Sequence, residues 1–211
     1  MDLKQAGYAL SLGLRRPDSV PAELVGPETL VVAYDATDRL GEQRWVDATV
    51  ARFGRIDVVV NNAGAWLQVG LEDGSDADLD TMLDVNVKAP FRVIRAAWPF
   101  LKVSGTGRVV NVASLSGKRV RSLNAGYQMT KHAMMALTHS VRRLGWDHGI
   151  RATALCPGYV NTDMAAQISS IPPEEMTQPE DLARLVTHVI GLPNNAAIAE
   201  LLVNSSYEHT L

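Results

Sequence analysis

The stretch Arg108-Val-Val-Asn-Val-Ala-Ser-Leu-Ser-Gly117 decides the fold. It opens as a β-branched, almost continuous apolar run and breaks into small and polar residues. A strand covered by helices on both faces reads this way, without the strict alternation of a half-exposed strand. The small residues after Val112 lie where such a strand ends and where an open α/β sheet binds its ligands. Past them, Ala125 opens a helical pattern that runs to His148.

The same alternation extends in both directions. Tyr8–Gly13, Leu30–Tyr34, Ile56–Val60, Arg108–Val112, Ile150–Leu155 and Glu200–Val203 read as strands. Helical patterns lie between them. Asp38–Phe53 follows a capping Thr37 or Asp38 and stops before Gly54. Asp78–Lys102 is predicted as one long helix, kinked at Pro90, with Pro99 near its last turn. Pro179 opens a final helix at its first position. Strands alternating with helices predict an α/β fold: a doubly wound parallel sheet, Rossmann-like, in three layers α/β/α. Residues 1–211 read as one domain, and Met164–Gln178 as an excursion before the last helix.

Composition narrows the function classes. The 211 residues are 46% hydrophobic and 20% charged, with a net charge of −3. That balance offers no basic footprint for nucleic acid or an anionic membrane. No apolar run reaches the length of a membrane span, and Met-Asp-Leu-Lys-Gln at the start lacks a signal-peptide pattern. The single cysteine, Cys156, closes an apolar segment and reads as core filler in a cytoplasmic protein. His132, His139, His148, His188 and His209 show no metal-ligand spacing, so no metal is expected.

The chemistry concentrates in Tyr127-Gln-Met-Thr-Lys131. A spacing of four places a phenol and an ammonium on one helix face. The ammonium is expected to favour phenolate and pull the tyrosine toward neutrality. Ser114, directly after the fourth strand, adds a hydroxyl that can hold a substrate oxygen. Ser116 is a rival, but its neighbour Gly117 suggests turn chemistry. Together these groups can move a proton to or from a carbonyl or alcohol. Asn62, Ala63 and Gly64 follow Asn61 at the end of the third strand, and small residues there let a cofactor approach the backbone; a plain turn reads the same. Asn86 sits in an apolar helical stretch, either as a working amide or as a satisfied core group. Pro157-Gly158 turns the chain after the fifth strand, and Thr162 follows in the loop.

In this order and spacing the motifs resemble the classical short-chain dehydrogenase/reductase family, from Gly7 to the end of the chain. Asn61-Asn62-Ala63-Gly64 is similar to its NNAG motif. Asn86, Ser114, Tyr127 and Lys131 are similar to its catalytic tetrad, Pro157-Gly158 to its PG motif, Thr162 to the threonine beyond it, and Asp35 to an aspartate at the adenine ring. The resemblance implies a reversible carbonyl/alcohol oxidoreductase. Tyr127 would be the general acid/base, Lys131 would lower its pKa and hold the nicotinamide ribose, Ser114 would bind the substrate oxygen and Asn86 would keep a relay water. It also implies a homodimer or homotetramer built through the helices from Asp78 and Ala125.

Cofactor choice is read from Gly13-Leu14-Arg15-Arg16. Folds that prefer NAD place an acid here against the ribose 2′-hydroxyl. This chain offers none, and Arg15 and Arg16 suit a 2′-phosphate, so NADP is expected over NAD. The substrate is a small carbonyl or alcohol. Leu115, Trp66, Tyr159 and Met164 are candidates for an apolar wall or for ordinary core, and Arg119 and Arg121 for steering an acidic substrate or for solvent.

One family element does not occur. No TGxxxGxG turn is found in the sequence, and Met1–Gly7 reads as the last turns of the helix that would follow it. The expectation is an N-terminally incomplete fold lacking the first strand and glycine-rich turn, with the helix N-terminus that binds pyrophosphate. A second reading follows: a non-catalytic binding or assembly protein with impaired cofactor binding. An epimerase or dehydratase of nucleotide sugars is a third, for which the short C-terminal part leaves little room.

Overall fold

In a computed structural model, residues 2–168 and 170–207 are described. Met1, Ser169 of the excursion and His209 of the histidine set lie outside them. The elements run α1 (Asp2–Gln5), β1 (Leu10–Leu14), β2 (Thr29–Ala33), α2 (Gly41–Phe53), β3 (Val58–Asn61), α3 (Asp76–Leu83), α4 (Ala89–Ser104), β4 (Arg108–Val112), α5 (Ala125–Gly145), β5 (Arg151–Pro157), α6 (Asp163–Ile168), α7 (Pro179–Gly191) and β6 (Glu200–Val203). All strand pairings are parallel, with helices in the crossovers, as the alternation requires.

The strands form two sheets. One pairs β1 with β2; the other runs β3-β4-β5-β6. Among the described residues, β1 and β3 each pair on one edge alone. Two helices bridge the sheets. Val46 of α2, Val93, Ile94 and Ala97 of α4, and Val59 of β3 share one buried core with Tyr34. Inside that contact, Arg92 Nε donates to Glu42 Oε1 at 2.8 Å, and the Tyr34 hydroxyl donates to the same oxygen at 3.2 Å. Glu42 is 2% exposed, so its carboxylate depends on these partners. Trp45 of α2 packs against the same core and against Tyr34, its ring centre 5.1 Å away, and it also lies against β1. Its indole N–H reaches Ser11 Oγ at 2.9 Å, and a Cβ on Gly13 would sit 2.8 Å from the ring, so only glycine lets strand and indole approach.

Two helix boundaries differ from the sequence reading. Asp38 and Thr37 do not cap α2. Asp38 Oδ1 accepts from the Leu40 N–H, while Thr37 donates to Asp35, forming a side-chain turn that delays the helix to Gly41. The helix expected over 78–102 is two. Ser75 caps the first through Asp78 N, and a π turn at Asp84–Lys88 separates it from α4. Pro90, in the first turn of α4, has no N–H for the Asn86 carbonyl four residues back. The α-helical ladder cannot pass that point, and the irregular turn absorbs the break. Pro99 lies inside α4, which continues to Ser104.

Candidate active site

The expected site residues gather at the carboxyl ends of β3, β4 and β5. Asn61 ends β3 and donates from Nδ2 to Asn111 Oδ1 on β4 at 2.7 Å. Asn111 donates in turn to Thr138 of α5 at 2.8 Å. This buried amide–hydroxyl chain sets the height of α5 against the strand ends. Asn62, Ala63 and Gly64 continue from Asn61 with exposed backbone. A Cβ on Gly64 would lie 3.6 Å from Asn86 Oδ1 and 3.8 Å from Lys131 Nζ. The glycine leaves open the space in front of the ammonium.

Lys131 is 5% exposed, and its ammonium donates to the Val112 carbonyl at 3.1 Å. Burial pushes it down to about 8, because the charged form loses its hydration. Tyr127 stands one turn earlier, with Lys131 Nζ 5.5 Å from its ring centre. The sequence reading expected the lysine to pull the phenol down. Burial instead pushes Tyr127 up to about 12, opposed by a hydrogen bond with Ser114. The phenol's desolvation outweighs the effect of the neighbouring ammonium.

Ser114 sits at the turn after β4. Its oxygen accepts from Ser116 N at 3.0 Å, and its hydroxyl lies 3.5 Å from the Pro157 carbonyl. Ser116 serves the turn through its backbone, so the two serines separate as anticipated. Gly158 donates to the Val203 carbonyl at 2.8 Å, tying the PG turn to β6. Thr162 lies on the surface at the start of α6, where its hydroxyl donates to the Val160 carbonyl at 3.2 Å. Excursion 164–178 contains α6 and a 3₁₀ turn at Pro173–Glu175. It is clipped at its base, where Asn161 N donates to the Thr177 carbonyl at 3.0 Å.

Asn86 is completely buried, and its amide is occupied. Oδ1 accepts from Ala65 N at 2.7 Å. Nδ2 donates to the Ala65 carbonyl at 2.8 Å and to Thr130 Oγ1 at 3.1 Å. Of the two sequence-level alternatives, the satisfied amide is the one present: the side chain staples the segment after Gly64 to α5. Thr130, which the sequence reading passed over, is the link between Asn86 and α5.

Arg15, Arg16 and Asp35 belong to the other sheet. Both arginines are exposed after β1. The Asp35 carboxylate accepts from Thr37 N and Oγ1 at 2.8 and 2.7 Å. Those bonds first, and the Arg15 charge less strongly, hold it below the usual carboxylate range. Arg15 and Asp35 are thus close enough to interact, and all three groups lie across the break between the sheets from Tyr127 and Lys131. Of the candidate wall residues, Leu115 is core, packed with Met134 and Cys156, whereas Trp66, Tyr159 and Met164 keep surface. Cys156 is fully buried and pushed up to about 11, chiefly by burial, as befits core filler. Among the described residues, no three His, Cys, Asp or Glu side chains cluster to hold a metal, and no helix is long and apolar enough to cross a membrane.

The chain is similar to known proteins in sequence and in fold. The family profile described as short chain dehydrogenase matches residues 5–172. An agropine synthesis reductase of Rhizobium rhizogenes is 41% identical over 196 residues, covering 91% of this chain and 45% of its own length. An uncharacterized oxidoreductase of Staphylococcus epidermidis is 30% identical over 182 residues, covering 86% of this chain and 79% of its own. This chain thus spans less than half the length of the agropine synthesis reductase. Among solved structures, an alcohol dehydrogenase from the archaeon Thermococcus sibiricus, complexed with 5-hydroxy-NADP, superposes with a TM-score of 0.77 at 27% identity, covering 86% of this chain and 76% of that one. A short-chain dehydrogenase/reductase from Serratia marcescens gives the same score and identity over 84% of this chain and 76% of its own.

Proposed function

Because the chain belongs to the short-chain dehydrogenase family, whose relatives here carry reductase and oxidoreductase names, we propose that it interconverts a carbonyl and a secondary alcohol with NADP. The observation that carries this reading is the convergence of Ser114, Tyr127 and a buried Lys131 beside Gly64.

The residues divide the work. Tyr127, kept protonated by burial, is in the state needed to give a proton to a carbonyl oxygen during reduction. In oxidation the same oxygen must first give up its own proton, and as phenolate it then takes the alcohol proton. The Ser114 hydroxyl donates to the substrate oxygen and stabilises the charge that develops on it. Lys131 contributes positive charge beside the phenol and has N–H groups left for the ribose hydroxyls of a dinucleotide. The cofactor, when bound, supplies or accepts the hydride.

The chain's residues fit such a group. Asn62, Ala63 and Gly64 present backbone without bulk, and a side chain at Gly64 would fill the space before Lys131. Asp35 would meet the adenine. Arg15 and Arg16, with no acid between them, would pair a 2′-phosphate, consistent with the 5-hydroxy-NADP named for the Thermococcus enzyme. Pro157, Gly158 and Thr162 would border the carboxamide end. Phe91 of α4 and Met129 of α5 are 48% and 57% exposed, which supports assembly into a homodimer or homotetramer through those helices. The lone buried cysteine suits a cytoplasmic setting.

One observation favours the second reading, a binding or assembly protein without turnover. The edges of β1 and β3 that face the break are unpaired among the described residues. Calorimetric titration with NADPH and NADH separates the readings. Selective micromolar NADPH binding, with turnover of ketones that Tyr127→Phe abolishes, supports the oxidoreductase. Absence of binding by folded protein, or full activity in the Tyr127→Phe variant, overturns it.

A further inference from the structure

Two buried asparagines grip the same short segment from opposite sides. Asn86 pairs with both backbone groups of Ala65. Asn124, 2% exposed, takes the other end: Nδ2 donates to the Leu67 carbonyl at 2.7 Å, and Oδ1 accepts from Val69 N at 3.4 Å. The Val69 carbonyl in turn accepts from Gly126 N at 2.9 Å. A Cβ at Gly126 would lie 2.9 Å from Val69 Cβ, so segment and helix meet at backbone distance.

Both asparagines also reach Tyr127. Asn124 Oδ1 accepts from the Tyr127 N–H at 3.0 Å. Asn86 holds Thr130, whose hydroxyl donates to the Tyr127 carbonyl at 2.8 Å. Each backbone group of the tyrosine is therefore held by a chain that ends on residues 65–69. This tyrosine rides on the first turn of α5, where helix N–H groups lack intrahelical acceptors and the chain frays most readily.

We infer that Asn124 is a positioning residue, which locks the turn bearing Tyr127 to the segment running on from Gly64. Capping alone does not call for asparagine, since serine or aspartate satisfies a first-turn N–H as well. Among these, only the amide carries a donor and an acceptor on separate atoms, so it caps Tyr127 and reaches the Leu67 carbonyl at once; aspartate has no donor, and the serine hydroxyl is a single atom on a shorter stem. Loss of that donor frees the segment while the cap survives, and displacements of about 1 Å cost on the order of a hundredfold in rate when a reacting group is misplaced.

The inference rests on the proposed role of Tyr127, and Asn124→Ser tests it without adding charge. With NADPH and a panel of aliphatic and aromatic ketones and aldehydes, kcat is expected to fall about tenfold or more while both KM values stay within about threefold. A purely structural role would lower the melting temperature and leave kcat of the folded enzyme intact; that result overturns the inference. If wild type turns over none of these compounds, the oxidoreductase reading fails for this chain and the positioning claim is read from the phenol itself. Carbon-13 labelling of tyrosine, with the Tyr127 signal identified by Tyr127→Phe, gives the ionised fraction at pH 11. A loosened segment admits water and lowers the phenol pKa, so that fraction rises from about a tenth toward about a half in Asn124→Ser. An unchanged fraction overturns the inference.

Discussion

Replacing Lys131 by methionine should destroy activity and stabilise the fold. Methionine keeps an apolar stem of similar length and removes the charge. The ammonium falls from 10.5 to about 8 on folding, which at about 1.4 kcal/mol per pH unit corresponds to about 3 kcal/mol of penalty on the native state at neutral pH. Against this, the Val112 carbonyl loses its donor, at a cost of about 1 kcal/mol. Lys131→Met should therefore be more stable by about 2 kcal/mol at pH 7, raising Tm by roughly 4–8 °C for a chain of this size. The pH dependence has a fixed sign. Below pH 8 the lysine is protonated in both states and the penalty is constant. Between about 8 and 10.5 the native state has released its proton while the unfolded chain still binds one, so wild-type stability rises with pH relative to the variant. Urea unfolding at pH 7.0 and 9.5 reads both effects, and contributions common to the two proteins, such as those of Tyr127 and Cys156, largely cancel in the difference. A variant less stable than wild type at pH 7, or a stability gap unchanged at pH 9.5, would refute the view that Lys131 is held charged at the fold's expense.

Arg15→Ala should weaken NADPH binding by about tenfold or more and leave NADH nearly unchanged, because only the 2′-phosphate needs the guanidinium; equal effects in a fluorescence titration would remove the basis for preferring NADP. Arg92→Ala should destabilise the protein by about 3–5 kcal/mol in urea unfolding, since it leaves the buried Glu42 carboxylate uncompensated between the sheets. A loss under about 1 kcal/mol would mean that the bridge does not join the two halves as described.

The turn bearing Tyr127 was legible because its information is local. Tyr127 and Lys131 share a face by helix geometry alone, Ser114 follows an apolar run that reads as a covered strand, and all six strands fall within a few residues of their expected places. Asn124 could have been found the same way: an asparagine directly before a helical pattern is a cap signal. Its second bond, to Leu67, spans 57 residues, and no pattern in the chain announces it. The π turn at Asp84–Lys88 was visible only as Pro90, because proline shows that the ladder breaks without showing where the break is absorbed.

Sequence by itself therefore determined which groups exist and in what order: parallel strands with helical crossovers, a phenol and ammonium four residues apart, two arginines after the first strand. Tertiary structure decided their physical state. A lysine beside a tyrosine lowers the phenol pKa only where its charge outweighs the cost of burying a phenolate. Here packing removes water from both, so the ammonium falls to about 8 and the phenol rises to about 12, because desolvation depends on everything folded around a group and not on its neighbours along the chain.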